Sequence, residues 1–297
     1  MITNSKERKF HAKTRNKIVA DVFSYIILVF YALIILVPFY IILITSFKTQ
    51  SEAVDIPFTW WPKVWNIHGY ETILFRDASG GAQGVSTVLL GFGNTLLTVL
   101  PTTLIGLLTS ALAGFAFAKL RFKGRDFMFS VLLASMMIPG IVSLMPSYLI
   151  YDSLLLTDTF FPIMVPGLFG GAACIFFLRQ YFSAIPDDLI EAAKVDGVSY
   201  LGIFFKIVVP LSTSALIAQG ILWFLNGYND YLGPLLYLQS TEKYTLQIAL
   251  MFSVGLYDTD YAAVMAGCVV ALLPMLLIYF FCQRYFIEGI ATTGLKI

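Results

Sequence analysis

Charge is what this chain has least of: Asp, Glu, Lys and Arg make up 12% of its 297 residues and 58% are hydrophobic, whereas about a quarter of a soluble domain is charged. That balance excludes a water-soluble globule. The formal net charge of +1 excludes nucleic-acid partners, which require concentrated Lys and Arg against the phosphates. Histidine is nearly missing, with His11 in a basic N-terminal stretch and His68 between apolar runs. Neither a catalytic triad nor a histidine metal cluster can be assembled from them. Cys174, Cys268 and Cys282 lie far apart in apolar runs without a CxxC spacing, as small buried hydrophobes do and zinc sites do not. There is no GxxxxGKS/T, and Gly91-Phe92-Gly93 lacks the third glycine of a dinucleotide fingerprint. The chain is therefore not expected to be an enzyme or to bind a cofactor itself.

What the sequence does have is long apolar runs. A helix needs about 20 mostly apolar residues to cross the hydrocarbon core, because lipid offers no partner to free backbone groups. Six segments qualify, at 22–47, 91–118, 127–151, 160–178, 208–229 and 261–283. The first is too long for a signal-peptide core and is retained as a span. The expected fold class is an all-α membrane protein with six transmembrane helices. A basic arm at 1–21 precedes the membrane domain at 22–283, and a tail at 284–297 follows it.

Lys and Arg collect on cytoplasmic flanks. Here they are Lys6, Arg8, Lys9, Lys13, Arg15 and Lys17 in the arm and Lys119, Arg121, Lys123 and Arg125 after the second span. Both termini and the loop at 183–207 are thus expected inside the cell, with 48–87, 152–159 and 230–260 outside. The first outer segment carries Trp60, Trp61 and Trp65, which suit headgroup anchoring or stacking on a sugar, and a loop-forming cluster of Gly80, Gly81 and Gly84. Pro139, Gly140 and Pro146 interrupt the third span, and Pro162, Pro166, Gly167, Gly170 and Gly171 the fourth. Bent helices are expected there. Two readings stand side by side, a pathway beside the bends or close packing by small residues.

The most informative polar stretch is in the inner loop. Ile185-Pro186-Asp187-Asp188-Leu189-Ile190-Glu191-Ala192-Ala193 starts like a helix, with proline at its beginning and acids in the first turn, and Gly197 stops it. Ala192 and Ala193 present almost no side chain, so a partner surface can approach closely, while Glu191 offers one charge to a partner cation. A second amphipathic stretch, 200–206, leads to Pro210, where the chain is expected to re-enter the bilayer.

Glu191, Ala192, Ala193, Gly197, Ile207 and Pro210 match the spacing Glu-Ala-Ala, three residues, Gly, nine residues, Ile-x-Leu-Pro, with Val209 in place of the leucine. In this the chain resembles the inner-membrane permeases of ABC importers. The resemblance extends toward their carbohydrate-uptake branch and its maltose-permease-like second membrane subunit. It is carried by 38–50 (PFYIILITSFKTQ), 94–125 with its exit AFAKLRF, Met137-Ile138-Pro139, 177–182, 223–231 and 283–289, while the ending Thr293-Gly294-Leu295-Lys296-Ile297 departs from the usual Gly-Ala-Val-Lys-Gly. It implies a type I importer permease fold in a bacterial cell membrane, a second homologous permease, and two ATPase subunits that hold ATP and Mg. It further implies an extracellular solute-binding protein contacting the outer loops, including 239–260, and a sugar or oligosaccharide as cargo. Glu191, Ala192, Ala193, Asp196, Gly197, Ile207 and Pro210 then become the ATPase-coupling residues, on a helix seated in a groove of one ATPase subunit.

Polar residues inside spans are functional candidates by default. Asn94, Gln219, Trp223, Asn226 and Asn229 are the candidate substrate-pathway residues; Gln219, Trp223 and Asn226 share one helical face that offers amides and an aromatic plane. Hydrogen bonding between helices is the competing reading. Tyr228, Asn229, Asp230 and Tyr231 lie at the expected outer mouth, suited to binding-protein or solute contact. A glycerol phosphate, polyol or other non-sugar solute is the alternative cargo. An ion-coupled secondary carrier is the rival class, disfavoured because the spans hold no clear central ionisable residue.

Overall fold

The structure, a computed structural model, describes residues 3–75, 86–253 and 260–294, with side chains from 20 to 283 among them. The Gly80, Gly81 and Gly84 cluster, residues 254–259 of the segment expected outside and the last three residues lie outside these, as do the side chains of the basic arm and tail. Among the described residues all regular structure is helical. The chain divides into two compact units, 1–70 with 260–269 and 71–259 with 270–297.

In the first unit, α1 (Thr3–Thr45) carries the basic arm and the first span as one helix. Its large apolar side chains from Val22 to Leu36 are exposed all round, which suits a helix facing lipid. A polar knot follows. Lys48 is fully buried, donates to the Thr59 carbonyl and sits 3.7 Å above the Phe58 ring. Glu52, in α2 (Gln50–Ala53), accepts hydrogen bonds from the Thr59 hydroxyl at 2.8 Å and the Lys63 N–H at 2.9 Å. Trp60 stacks with Tyr40, and Trp61 meets Trp65 edge-on at 5.3 Å, yet all three tryptophans remain mostly exposed. At Gly69, where α3 (His68–Phe75) begins, a Cβ would lie 2.6 Å from the Ala262 carbonyl. Only glycine permits that approach.

The second unit is organised on α4 (Thr87–Lys119), whose first turn is capped by the Ser86 hydroxyl accepting the Leu89 N–H. There follow α5 (Arg125–Ser135), α6 (Gly140–Ser153), α7 (Phe161–Leu168), α8 (Ala172–Ser183), α9 (Asp187–Val195) and α10 (Tyr200–Ile203). A π turn, Phe204–Val208, joins α10 to α11 (Val209–Leu211), and α12 (Thr213–Tyr228), α13 (Leu232–Tyr237) and α14 (Leu246–Phe252) follow; α15 (Tyr261–Gly294) belongs to the first unit up to 269 and to the second from 270. Helix α4 packs against α7, α8, α12 and α14. The core gathers where α4, α8, α9 and the α10–π segment meet, around Phe115, Leu178, Phe182, Ile190, Ala193, Ile203, Phe204 and Val208.

Among the described residues four helices are long and apolar enough to cross a membrane, and six spans result if each of two bent pairs counts as one. The third expected span is bent as its prolines imply, because α5 and α6 meet at 94° around Pro139, where a missing N–H and a fixed φ prevent continuation. The fifth differs. Helix does not begin at Pro210 but runs from Tyr200 to Leu211, then turns by 84° at Ser212 into α12. The π turn accommodates the proline: the Val209 N–H reaches back five residues to the Phe204 carbonyl, a register shift that a residue without an N–H favours. The fourth span breaks between α7 and α8, where Gly170 has φ +93°. Its freed backbone groups are taken up by α4. The Thr109 hydroxyl donates to the Leu168 carbonyl at 2.9 Å, and the Ser110 hydroxyl accepts the Gly171 N–H at 3.0 Å.

A Cβ on Gly106 would sit 2.4 Å from the Gly167 carbonyl and 2.8 Å from the Trp223 ring, whereas one on Gly93 would meet nothing. Gly106→Ala is expected to destabilise the detergent-solubilised protein by about 1–3 kcal/mol. Gly93→Ala leaves its thermal midpoint unchanged or raises it, since alanine favours helix.

Candidate functional site

Helix α9 has two faces. Ile190 and Ala193, three residues apart, are buried in the core with Phe182, Ile203 and Phe204. Leu189, Ala192 and Val195, also spaced by three, are exposed, with Val195 at 88%. The two expected small-residue positions therefore separate. Ala192 lies on the open side, but Ala193 is turned into the chain's own core and is not available to a partner, because residues one apart on a helix are about 100° apart. Glu191 is exposed and makes no ion pair among the described residues. The apolar residues Leu189 and Val195 were not legible as site residues; their three-residue spacing from Ala192 is the signal that marks them.

The C-terminus of α9 explains its glycine. The Asp196 N–H donates to the Ala192 carbonyl, the Gly197 N–H to Lys194 and the Val198 N–H to Ala193, all at 3.0 Å. This is a Schellman closure, which requires a left-handed residue after the cap, and Gly197 supplies it with φ +77°. Val198 then packs back on the core. Ile207 is partly buried against that core, and Pro210 is exposed in α11.

At the other end of α9 the Lys119 ammonium, from the last residue of α4, donates to the Ile185 carbonyl and to Asp187 Oδ1, both at 2.6 Å. The hydrogen bond and charge of Lys119 hold the Asp187 carboxyl below its usual value. Asp187 and Asp188 in the first turn and Lys194 in the last also complement the helix dipole.

The pathway candidates divide as well. Gln219, Trp223 and Asn226 come together, lining with Leu222 one wall of an open groove of about 510 Å³ whose other wall is Gly171, Ala173, Cys174 and Phe177 of α8 and its start. The spacing 219, 222, 223, 226 is one stripe of α12. Gly106 and Gly171 let the Trp223 ring lie close to the backbone. Gln219 has no hydrogen-bond partner among the described residues, and Asn226 Nδ2 bonds only its own helix at Leu222 O, 2.9 Å. Both amides are thus exposed to the groove or open to exchange. Asn94 and Asn229 are elsewhere: Asn94 Nδ2 donates to the Glu242 and Tyr244 carbonyls at 2.8 and 3.0 Å, and Asn229 closes the end of α12 by donating to Leu225 O at 2.8 Å.

A further cluster ties together the segments on either side of α7 and α13. Asp158, with φ +53°, accepts hydrogen bonds from the Gln239 and Ser240 N–H groups at 2.9 Å each, from the Ser240 hydroxyl, and from Lys243 Nζ at 2.9 Å. Burial pushes its carboxyl up, but the hydrogen bonds from Ser240, Gln239 and Lys243 outweigh it and hold the group far below the carboxylate range.

Residues 103–292 match the family described as "Binding-protein-dependent transport system inner membrane component". The chain is 36% identical to the arabinooligosaccharides transport system permease protein AraQ of Bacillus subtilis (strain 168), over 89% of this chain and 92% of that one. It is 32% identical to the lactose transport system permease protein LacG of Rhizobium radiobacter, over 91% and 94%. A chain of a solved structure, described as a bacterial ABC transporter involved in the import of the acidic polysaccharide alginate, superposes with a TM-score of 0.78 at 22% identity, covering 90% of this chain and 96% of that one. That likeness is one of fold.

Because the Asp158 carboxyl is lowered on folding, its contribution is fully present above the unfolded value near about 3.9 and is lost only as pH falls through the folded value. Asp158→Asn, which keeps the shape and tolerates φ > 0, is expected to cost about 1–2 kcal/mol at neutral pH. In thermal unfolding the gap to the parent protein stays constant from about pH 5 to 8 and narrows only below about pH 4.

Proposed function

Because this chain belongs to the family of binding-protein-dependent transport system inner membrane components, we propose that it is one of two permease subunits of an ATP-driven importer and passes a sugar or oligosaccharide. Membership in the family makes it a membrane permease component. A second homologous permease, two ATPase subunits carrying ATP and Mg, and an extracellular solute-binding protein complete the assembly, with both termini cytoplasmic. The relatives named for arabinooligosaccharides and lactose support carbohydrate as cargo. So does the groove at Gln219, Trp223 and Asn226, because sugar hydroxyls need amide partners and their C–H faces stack on rings.

The observation that carries the reading is the two-faced α9, rooted in the core by Ile190 and Ala193 and open at Leu189, Ala192 and Val195. An exposed apolar stripe on a short polar-flanked helix is a docking surface, and its seat is an ATPase subunit. Closure of the ATPase dimer displaces α9, and the core of α4, α8 and α10 must follow. Moving an inward–outward equilibrium from 1:99 to 99:1 requires about 5.5 kcal/mol of differential binding, more than one surface ion pair supplies. Glu191 therefore orients the contact and the whole face supplies the energy.

Two variants separate docking from folding. Ala192→Trp is expected to leave the solubilised subunit stable but to remove Mg-ATP hydrolysis from material affinity-purified out of native membranes, whereas Ala193→Trp lowers the subunit's own yield by overpacking the core. Normal hydrolysis and uptake in Ala192→Trp would refute the docking face. For the groove, Asn226→Leu is expected to weaken uptake of labelled oligosaccharide about 2- to 10-fold, the worth of one hydrogen bond, at unchanged membrane abundance; unaltered uptake kinetics remove Asn226 from the pathway.

A further inference from the structure

Helix α4 is gripped at both ends by elements that are not its sequence neighbours. At its inner end the Lys119 side chain is 3% exposed, although it belongs to a loop-facing last residue of a helix. Its ammonium straddles Pro186, with the Ile185 carbonyl on one side and the Asp187 carboxylate on the other. A cation withdrawn from water is tolerated only when paired and hydrogen-bonded, so this ion holds the first turn of α9 in one geometry. Asp187 is 74% exposed. The anion is thus hydrated while the cation is buried, and it is Lys119 that depends on the contact.

Toward the other end, Asn94 Nδ2 donates to the Glu242 and Tyr244 carbonyls, and the buried Thr95 hydroxyl accepts the Leu246 N–H at 2.9 Å. A Cβ on Gly91 would lie 3.0 Å from Ala249 and Thr245, so α14 rests directly on α4 there. The same segment is held upstream by Asp158 through Gln239, Ser240 and Lys243. From Asn94 to Lys119 the chain stays in one helix, with Pro101 inside it, a distance of roughly 37 Å at about 1.5 Å per residue. Between the two grips it is packed against α7, α8 and α12, which limits bending.

We propose that Lys119 is a positioning residue that fastens α9 to α4, and that α4, clamped at its far end by Asn94 and Thr95, carries the displacement of α9 to the 242–246 segment. This rests on the reading of α9 as the ATPase-docking helix. In it the segment at 242–246 is not an independent outer loop. Beside its tie to Asp158, its position answers to the inside through one helix and two polar grips.

The test uses the purified transporter in lipid, with a fluorophore on Glu242→Cys to report the 242–246 segment. In the parent protein, Mg-ATP binding is expected to change the label's signal. Lys119→Met, which keeps the stem but removes the ammonium, is expected to cut that change to below about a third and to lower uptake per ATP hydrolysed at least about fivefold, with hydrolysis retained. Lys119→Arg restores more than half of both. Thr95→Val, a near-isosteric change at the far grip, is expected to lose the label response in the same way, and decides the matter should Lys119→Met fail to assemble. A full label response and parental coupling in Lys119→Met, or in Thr95→Val in that event, overturn the proposal. Absence of any ATPase, or of a nucleotide response in the parent protein, overturns the functional reading instead.

Discussion

The burial of Ile190 and Ala193 beside Phe182, Ile203 and Phe204 is the interaction on which the rest depends. A helix that merely floated between two spans would be moved without moving anything else. Here the face opposite the exposed stripe of Leu189, Ala192 and Val195 is part of the hydrophobic core of its unit, and close-packed interiors transmit displacement because they cannot deform cheaply. Phe115 of α4 and Phe204 lie 5.5 Å apart ring to ring, so the long central helix and the loop that re-enters α12 share that core.

The second constraint is the satisfaction of backbone groups. Three of the expected spans are interrupted, and each interruption strands donors or acceptors that lipid cannot satisfy. The hydroxyls of Thr109 and Ser110 answer the break between α7 and α8, and a π turn absorbs Pro210. These devices supply partners for backbone groups at those two places. Gly106 and Gly171 act in the same place by letting Trp223 and the neighbouring backbone approach closely. The two readings of that glycine-rich region, close packing or a bordering pathway, are thus not exclusive: the packing shapes one wall of the groove.

Charge is placed with similar economy. Among the described ion pairs, those of Lys119 with Asp187 and Lys243 with Asp158 are accompanied by further hydrogen bonds to backbone. Each joins segments far apart in the chain. Lys63 with Asp55, by contrast, is an exposed local pair, of a kind worth little to stability.

The sequence by itself determined the membrane class, the six apolar segments and the family motif at 191–210, because length, hydropathy and a fixed spacing of glycine and proline are local properties. It also placed Gln219, Trp223 and Asn226 on one stripe, which helical periodicity alone dictates. What it did not determine was direction. That Ala193 faces inward and Ala192 outward, that the fifth segment turns at Ser212 and not at Pro210, and that Asn94 holds the 242–244 backbone instead of lining the groove were decided by tertiary structure. Lys119 shows the reason most plainly. In the sequence it is one of several basic residues following the second apolar segment, and its burial depends on a carbonyl and a carboxylate 66 and 68 residues away, a juxtaposition that no local pattern encodes.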